Sequence, residues 1–199
     1  MVVAFKYAVA LTGSIGTGKS TVSKLLSSFG FHIIDADKIA HQILDEQQQS
    51  VADLFGDSLV KKGKVDRKAL GAIVFSDSSK RKKLEALLHP LIYKEIERLS
   101  VEQDILKKPY LIDIPLFFEG GRYPIEKSLV VYTTKEQQLE RLMHRDNYNE
   151  DEALSRISAQ IPVEEKCKRA SYVIDNSGTL TQLKKECERV KEEILNDSD

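Results

Sequence analysis

Short apolar runs alternate with longer amphipathic stretches along most of the chain. In five of the short runs the apolar residues occupy consecutive positions, which is typical of strands buried on both faces of a parallel sheet. The longer stretches have the spacing of helices that cross from one parallel strand to the next. The pattern therefore predicts an α/β protein with a five-stranded parallel sheet flanked by helices. The predicted strands cover residues 7–12, 31–34, 110–114, 128–133 and 172–175.

Two long polar stretches do not fit a simple strand-helix alternation. The stretch between the second and third strands has only helical patterns and is too long for one crossover, so it predicts a helical subdomain beside the sheet. The stretch after the fourth strand holds two helical patterns that meet at RDNYNED, where Asn149 is placed to cap the second helix. Its charge and position predict a mobile lid, with a solvated pair of helices as the alternative. The predicted division is a core of 1–35, 109–135 and 171–199, a helical subdomain of 36–108 and a lid of 136–170.

Composition narrows the class of protein. With 199 residues and 41% hydrophobic content, the chain is long enough for one sizeable core. The formal net charge of -1 gives no global reason to expect a nucleic-acid partner or a membrane partner, and no apolar run is long enough to span a bilayer. The N-terminal residues do not have the pattern of a secretory signal, so we expect a cytoplasmic protein with Cys167 and Cys187 reduced, both on helices. The sequence leaves the oligomeric state open.

A glycine-rich motif follows the first predicted strand, where residues 13–21 read GSIGTGKST. The motif fits G-x-x-x-x-G-K-[ST], in which glycines let backbone N–H groups converge on phosphate oxygens. In such a loop Lys19 reaches the β- and γ-phosphates and the Ser20 hydroxyl binds Mg²⁺, while the helix that begins near Lys19 points its positive end at the anion. We therefore predict that this loop binds ATP with Mg²⁺. The predicted nucleotide contacts are Gly13, Ser14, Ile15, Gly16, Thr17, Gly18, Lys19, Ser20 and Thr21.

Two carboxylates follow the second predicted strand in the segment IIDADKIAH. Asp35 and Asp37 lie at the carboxyl end of that strand, where open α/β sheets bind their ligands. One of them can accept the proton of an attacking hydroxyl group or orient it, while the other binds substrate or a metal-bound water. The alternative is that one aspartate only caps the helix that follows.

Further candidate charges lie on the third strand and in the predicted lid. Asp113 is embedded in the apolar run YLIDIPLFFE, the position from which a carboxylate binds Mg²⁺ directly or through water, and Glu119 is a weaker candidate in the same segment. Arg141 and Arg145 are four residues apart on one helical face, and Arg156 follows on the next helix. Arg145 is placed to neutralise charge on the transferred phosphoryl group, unless these arginines only form surface pairs with Glu140 or Asp146.

Taken in order, the segments GSIGTGKST, DADKIAH, KLEALLHPLIY, IDIPLFFE, QLERLMHRDN, RISAQ and YVIDNSGT resemble the dephospho-CoA kinase family over nearly the whole chain. The resemblance implies transfer of the γ-phosphate of ATP to the ribose 3′-hydroxyl of dephospho-CoA, the last step of CoA biosynthesis. It also implies a P-loop core, a helical CoA-binding domain and a lid, which agrees with the division predicted above.

The resemblance also suggests roles for individual residues. Asp37 is the expected base or hydroxyl-orienting group, with Asp35 a neighbouring substrate contact, and Arg145 is the expected lid arginine. The turn DNSG places Asn176 and Gly178 near adenine. Two residues of the helical domain, Arg67 and His89, are expected to contact the acceptor or to order its helices. His89 has a second interpretation, since the proline that follows it is typical of a helix start and His89 would then end the preceding helix.

Two other functions remain open from the sequence. Another small P-loop kinase, acting on a nucleoside monophosphate or a small hydroxyl metabolite, would have the same fold. A nucleotide-dependent switch is the second alternative, although the guanine-binding motif N-K-x-D of a GTPase does not occur.

Overall fold

The five predicted strands form one sheet in the computed structural model, which describes residues 3–197. Within that range there are seven strands: β1 Ala8–Gly13, β2 Ile33–Asp35, β3 Val60–Lys61, β4 Lys64–Val65, β5 Tyr110–Asp113, β6 Lys127–Tyr132 and β7 Tyr172–Asp175. The helices are α1 Lys19–Ser28, α2 Ala36–Glu46, α3 Gln48–Phe55, α4 Arg67–Ser76, α5 Ser78–Asp104, α6 Phe117–Gly120, α7 Lys135–Asp146, α8 Glu150–Ser158, α9 Val163–Arg169 and α10 Leu180–Asn196.

The large sheet has the strand order β2-β5-β1-β6-β7, with β1 at its centre. β1 pairs in parallel with β5 and with β6, and β6 pairs in parallel with β7. The prediction of a five-stranded parallel sheet is confirmed. Because the strands are parallel, the loops that follow β1, β5, β6 and β7 leave the sheet at the same edge, where ligands of open α/β sheets bind.

Helices α1 and α10 cover the sheet with apolar side chains. Leu11 of β1 and Ile174 of β7 are fully buried, and they belong to one core with Val22 and Leu26 of α1 and Val190 of α10. Consecutive apolar residues in the strands are buried because both faces of the sheet are covered, which is why the strand signal was unbroken in the sequence. This core fixes the position of the loop between β1 and α1.

The chain divides into two compact units, one of Met1–Ile34 with Ser100–Asp199 and one of Asp35–Leu99. The first unit holds the large sheet. The second holds most of the residues predicted to be a helical subdomain, but it is not wholly helical. The strands β3 and β4 pair antiparallel in a short hairpin, with a turn in which Lys62 and Gly63 both have positive φ. Strands of two residues are too short to leave an alternating pattern, so the sequence did not indicate this hairpin.

The predicted break before Pro90 is also absent. The residues before and after Pro90 form one helix, α5, with the proline in its interior. Pro90 cannot donate a backbone hydrogen bond to the preceding turn. Burial of Leu88 before the proline and Ile96 after it stabilises both halves of the helix, since tertiary packing supplies most of the stability of a helix in a protein. His89 therefore lies inside a helix and does not end one.

The segment predicted as a lid consists of helices, as expected. Asn149 caps α8 through a capping box, in which its side chain accepts from the Glu152 N–H and the Glu152 side chain accepts from the Asn149 N–H. A further helix, α9, follows with Pro162 at its N-cap. Cys167 lies on α9 and Cys187 on α10, both with free thiols, so the expectation of helical cysteines is confirmed.

Candidate functional site

The glycine-rich motif forms the connection from β1 to α1. Gly18 is the N-cap of α1 with φ of 87°, and Gly16 has φ of 81°, a region of backbone conformation that favours glycine. In the described part of the chain, no side chain caps the start of α1. The first turn of a helix leaves backbone N–H groups without intrahelical acceptors, and such groups together with the helix dipole bind anions. The loop therefore has the geometry of an anion-binding site.

The first residue of α1 forms an ion pair with the last residue of β5. The Lys19 ammonium group contacts the Asp113 carboxylate, and Asp113 is buried. The pair forms because β5 is hydrogen-bonded to β1, with Asp113 in register with Leu11, just before the loop. Ser20, the next residue of α1, is exposed. The structure thus brings together three predicted site residues: a cation, a carboxylate and a hydroxyl group.

Asn176 follows β7 and fastens this loop through its side chain. Its Nδ2 donates to the Thr17 carbonyl oxygen at 2.7 Å, while its own carbonyl oxygen accepts from Thr133 Oγ1 at 3.1 Å. A Cβ atom on Gly18 would overlap the Asn176 side chain, so the close approach requires glycine there. Asn176 is therefore adjacent to the glycine-rich loop, and its place near adenine stays a prediction.

The two arginines of α7 have different partners. The Arg141 guanidinium group donates to three backbone carbonyl oxygens, those of Gly16 and Thr17 at 3.3 Å and that of Asn176 at 3.0 Å. Arg145 forms two hydrogen bonds with Asp146, of 2.9 and 2.7 Å, and its side chain is 64% exposed. Arg145 lowers the pKa of Asp146, and Asp146 raises the pKa of Arg145. The surface pair with Asp146, one of the alternatives for Arg145, is present.

A cavity of about 580 Å³ opens beside the loop and lies entirely in the first unit. Its floor is the start of α1, and α7 and the turn after β7 form its walls. Both arginines and both residues of the predicted adenine turn reach it. The lining residues are Gly16, Gly18, Ser20, Thr21, Arg141, His144, Arg145, Asn176, Gly178, Leu180 and Leu183.

Lys166 connects Glu119 to the loop, although no sequence pattern indicated this lysine as a site residue. Lys166 of α9 is fully buried, with its ammonium group 2.7 Å from Glu119 Oε1 and 2.9 Å from the Gly13 carbonyl oxygen. Gln160 also contacts the loop without having been predicted as a site residue. Its Oε1 accepts from the Ile15 N–H at 2.9 Å. Lys166 lies in the charged sequence VEEKCKR, which is typical of an exposed helix, so no pattern indicated its burial.

The remaining predicted residues belong to the second unit. Asp35 is the N-cap of α2: its Oδ1 accepts from the Lys38 N–H at 3.0 Å, and its Oδ2 lies 3.3 Å from the Lys38 ammonium group. Asp37, in the first turn of α2, is exposed. Asp35 is thus the aspartate that caps a helix, which leaves Asp37 as the exposed carboxylate of the pair.

Arg67 and His89 have structural surroundings of their own in the second unit. Arg67 is the first residue of α4 and pairs with Asp45 Oδ2 at 2.9 Å. Asp45 also accepts from the Val65 N–H at 3.1 Å, and these contacts lower the pKa of Asp45. His89 is half-buried in α5. Arg67 therefore pairs the start of α4 with Asp45 of α2, and its predicted role toward the acceptor stays a prediction.

Residues 3–197 lack two other features. Among these residues, no group of three or more His, Cys, Asp or Glu side chains is placed to hold a metal ion. None of the helices in the same range combines the length and the apolar character needed to cross a membrane.

Comparisons with known proteins match nearly the whole chain. Residues 7–182 fit the sequence model of the family described as dephospho-CoA kinase. A dephospho-CoA kinase of Sulfurimonas denitrificans is 54% identical over 191 residues, 96% of each chain. A second, from Wolinella succinogenes, is 47% identical over 193 residues, again 96% of each chain. The solved structure of dephospho-CoA kinase from Campylobacter jejuni matches with a TM-score of 0.73 at 38% identity, covering 97% of this chain and all of that one.

Proposed function

The chain belongs to the dephospho-CoA kinase family, and from that membership and the geometry of the loop we propose how its residues carry out the reaction. The enzyme uses ATP to phosphorylate the ribose 3′-hydroxyl of dephospho-CoA, which gives CoA and ADP in the last step of CoA biosynthesis. The observation that carries the proposal is the uncapped start of α1 beside the Lys19–Asp113 pair.

We assign the phosphate chain of ATP to residues 13–21. The N–H groups at the start of α1 donate hydrogen bonds to the phosphate oxygens, and the Lys19 ammonium group contacts the transferred phosphoryl group. Asp113 supports this role because its carboxylate pairs with the Lys19 ammonium group and holds that side chain beside β5. A cation held in place stabilises developing charge without reorganisation during the reaction.

Mg²⁺ fits the same end of the site by the chemistry of its donors. A hydroxyl oxygen on Ser20 and a carboxylate oxygen on Asp113 are hard ligands of the kind Mg²⁺ takes in kinases. We propose that Ser20 binds the ion and that Asp113 contacts it directly or through water. When bound with ATP, Mg²⁺ neutralises charge on the β- and γ-phosphates.

Asp37 is the proposed base that accepts or orients the proton of the 3′-hydroxyl group. Its carboxylate is exposed at the start of α2, whereas the carboxylate of Asp35 is occupied by the cap and by the Lys38 ammonium group. A positioned carboxylate contributes to catalysis by removing the proton of the attacking oxygen in the transition state. We propose Asp35 as a neighbouring substrate contact that also fixes the start of the helix carrying Asp37.

The cavity beside the loop is the proposed site of the adenosine part of ATP, with Asn176 and Gly178 on the adenine side. Arg145 lines this cavity, and we propose that it neutralises phosphate charge when the lid, 136–170, closes. Its bonds to Asp146 hold the guanidinium group at the cavity until then. Arg141 is committed to three carbonyl oxygens and therefore supports the loop.

The helical subdomain, 36–108, is the proposed binding region for the CoA part of the acceptor. Within it, Arg67 and His89 are proposed to contact the acceptor or to order the helices that do. We also propose that the enzyme works in the cytoplasm without a nucleic-acid or membrane partner, because its reaction uses ATP, its two thiols are free and its net charge is -1.

ADP release from ATP and Mg²⁺ by the purified protein tests the proposal. The acceptors to compare are dephospho-CoA, AMP, other nucleoside monophosphates and none. We expect strong stimulation by dephospho-CoA alone, with CoA as the product. Stimulation by a different acceptor would overturn the proposed substrate, and nucleotide hydrolysis that ignores the acceptor would favour a nucleotide-dependent switch. Omission of Mg²⁺ in the presence of EDTA should abolish turnover.

A further inference from the structure

Lys166 is a buried charge on a helix that otherwise resembles a surface helix. Its side chain is 0% exposed, although lysine is rarely fully buried unless it is paired. The neighbouring lysine, Lys168, behaves in the usual way, since its side chain is 69% exposed and pairs with Glu165 on the same helix. The burial of Lys166 therefore needs a reason beyond the composition of α9.

The partners of Lys166 connect the start of the phosphate-binding loop to the segment after β5. Its Nζ donates to the Gly13 carbonyl oxygen at 2.9 Å and lies 2.7 Å from Glu119 Oε1. The same Glu119 oxygen accepts from the Ile161 N–H at 3.2 Å. One carboxylate thus holds both the turn before α9 and the lysine within α9.

Two further contacts join the same turn to the loop. Ile15 donates its N–H to Gln160 Oε1 at 2.9 Å, and Ser14 Oγ donates to the Ile161 carbonyl oxygen at 3.3 Å. Residues 160–166 therefore contact three consecutive loop residues, 13–15. The contact with Gly13 is the one made by a charged group.

The Lys166 side chain is fully buried, whereas that of Glu119 is 21% exposed. Such an ion pair is a poor way to gain stability, because the cost of removing the lysine charge from water offsets the attraction. Such an ion pair is an effective way to fix geometry, because it forms only when the donor and the acceptors are all in place. Fixing the Gly13 carbonyl oxygen fixes the peptide plane at which the loop leaves β1. The orientation of that peptide plane affects the direction in which the N–H groups further along the loop point.

We propose that Lys166 is a positioning residue for phosphoryl transfer, which holds the start of the phosphate-binding loop with Glu119 as its counter-ion. This inference rests on the proposed role of residues 13–21 in binding ATP. Lys166 acts through the Gly13 carbonyl oxygen and not on the substrate. Its removal should therefore impair steps that use the triphosphate and leave recognition of the acceptor intact.

Lys166→Met tests the proposal, since methionine replaces most of the side-chain volume and has no donor. We expect kcat to fall about 10- to 100-fold, because small misplacements distant from the chemistry have effects of this size. The KM for ATP should rise, and the KM for dephospho-CoA should stay within about twofold. Lys168→Met is the matched control on the same helix and should leave all three parameters unchanged. The assay is run well below the unfolding midpoint of each variant, so that loss of stability does not enter kcat.

Unchanged kcat and KM for ATP in folded Lys166→Met would overturn the proposal. If that variant does not fold, Glu119→Gln and Glu119→Ala replace it, since glutamine keeps the acceptor and alanine removes it. The expected order of kcat is wild type, then Glu119→Gln, then Glu119→Ala, with the KM for dephospho-CoA unchanged. Equal kcat in all three proteins, or a rise in the KM for dephospho-CoA alone, would overturn it. The wild-type assay distinguishes failure of this proposal from failure of the proposed function. Absence of dephospho-CoA-dependent turnover by the wild-type protein would overturn the proposed function itself.

Discussion

The side-chain amide of Asn176 donates a hydrogen bond to the backbone carbonyl oxygen of Thr17 at 2.7 Å. The bond joins the turn after β7 to the residue before the N-cap of α1. It is buried, since Asn176 is 8% exposed and Thr17 is fully buried. The conformation of the phosphate-binding loop therefore depends on a residue far from it in the sequence.

Asn176→Asp tests this dependence by placing a carboxylate oxygen where the donor was. Two facing acceptors repel, and an unsatisfied buried group costs about 1–3 kcal/mol. We expect a loss of that order in the free energy of unfolding and an affinity for ADP at least about tenfold weaker, measured by urea unfolding and calorimetric titration. Asn196→Asp makes the same chemical change at an exposed position and should alter neither value. Equal behaviour of the two variants would contradict the assignment.

Lys19→Ala should remove the cation from the transferred phosphoryl group. We expect kcat to fall about 10²- to 10³-fold, the usual effect of deleting one group that stabilises transition-state charge. The far-ultraviolet circular dichroism spectrum should be unchanged, because α1 is retained. Lys24→Ala, at an exposed position of the same helix, is the control and should keep wild-type kcat. Wild-type turnover of Lys19→Ala would refute the phosphate assignment.

The two aspartates beside α2 should separate in kinetics and in stability. Asp37→Asn should lower kcat about 10²-fold or more, as expected for loss of a general base, while ADP affinity changes little. Asp35→Asn should preserve stability because asparagine also caps helices, whereas Asp35→Ala should lose about 1 kcal/mol of unfolding free energy. Steady-state kinetics and thermal unfolding distinguish these outcomes. Unchanged kcat in Asp37→Asn would move the proton-accepting role to Asp35 or elsewhere.

Gly18→Ala should carry two free-energy penalties, one from its positive φ and one from steric overlap. Gly30→Ala should carry only the first. Both glycines have positive φ, 87° and 99°, but a Cβ atom overlaps Asn176 at Gly18 and meets nothing within 4 Å at Gly30. Gly30→Ala should therefore cost only the conformational penalty, about 1–2 kcal/mol. Gly18→Ala should cost more and should also weaken ADP binding. Equal losses of unfolding free energy would show that the Asn176 side chain moves aside.

The thiols should be unreactive at ordinary pH. Burial raises the pKa of both Cys167 and Cys187 to about 11, so the thiolate fraction at pH 8 is roughly one in a thousand. A raised pKa disfavours the reactive thiolate below that pH, and the reaction with Ellman's reagent should speed up about tenfold for each pH unit while the protein stays folded. In denaturant both thiols should react quickly at pH 8. Rapid reaction of the folded protein at pH 8 would contradict the burial of these groups.

Patterns of apolar residues predicted the large sheet because its strands are covered on both faces. The helix starts at Lys19 and Glu150 were also predictable from the sequence, because a glycine and an asparagine precede them. The hairpin of β3 and β4 was not predicted because its strands are shorter than any periodicity. The continuity of α5 through Pro90 was not predicted because local propensity opposes it, and only tertiary packing reverses that preference.

The residues of the candidate site likewise divide into those that a sequence pattern indicated and those that none indicated. The motif itself indicated Lys19, and the position of Asp113 at a strand end indicated a site carboxylate. The ion pair between them was not predicted, because it depends on the strand order of the sheet. Lys166 and Gln160 were missed because their importance lies in what they contact across the fold. A charged residue in a charged helix has no sequence signal for burial.

Three carbonyl oxygens of the phosphate-binding loop, those of Gly13, Gly16 and Thr17, accept bonds from side chains outside it. These acceptors are main-chain atoms, which any amino acid would supply. A saturation mutagenesis library should consequently be intolerant at the distant donors Lys166 and Asn176 as well as at Gly16 and Gly18 of the loop, where a side chain is strained or overlaps a neighbour. Part of the constraint on this site therefore lies outside the motif that identifies it.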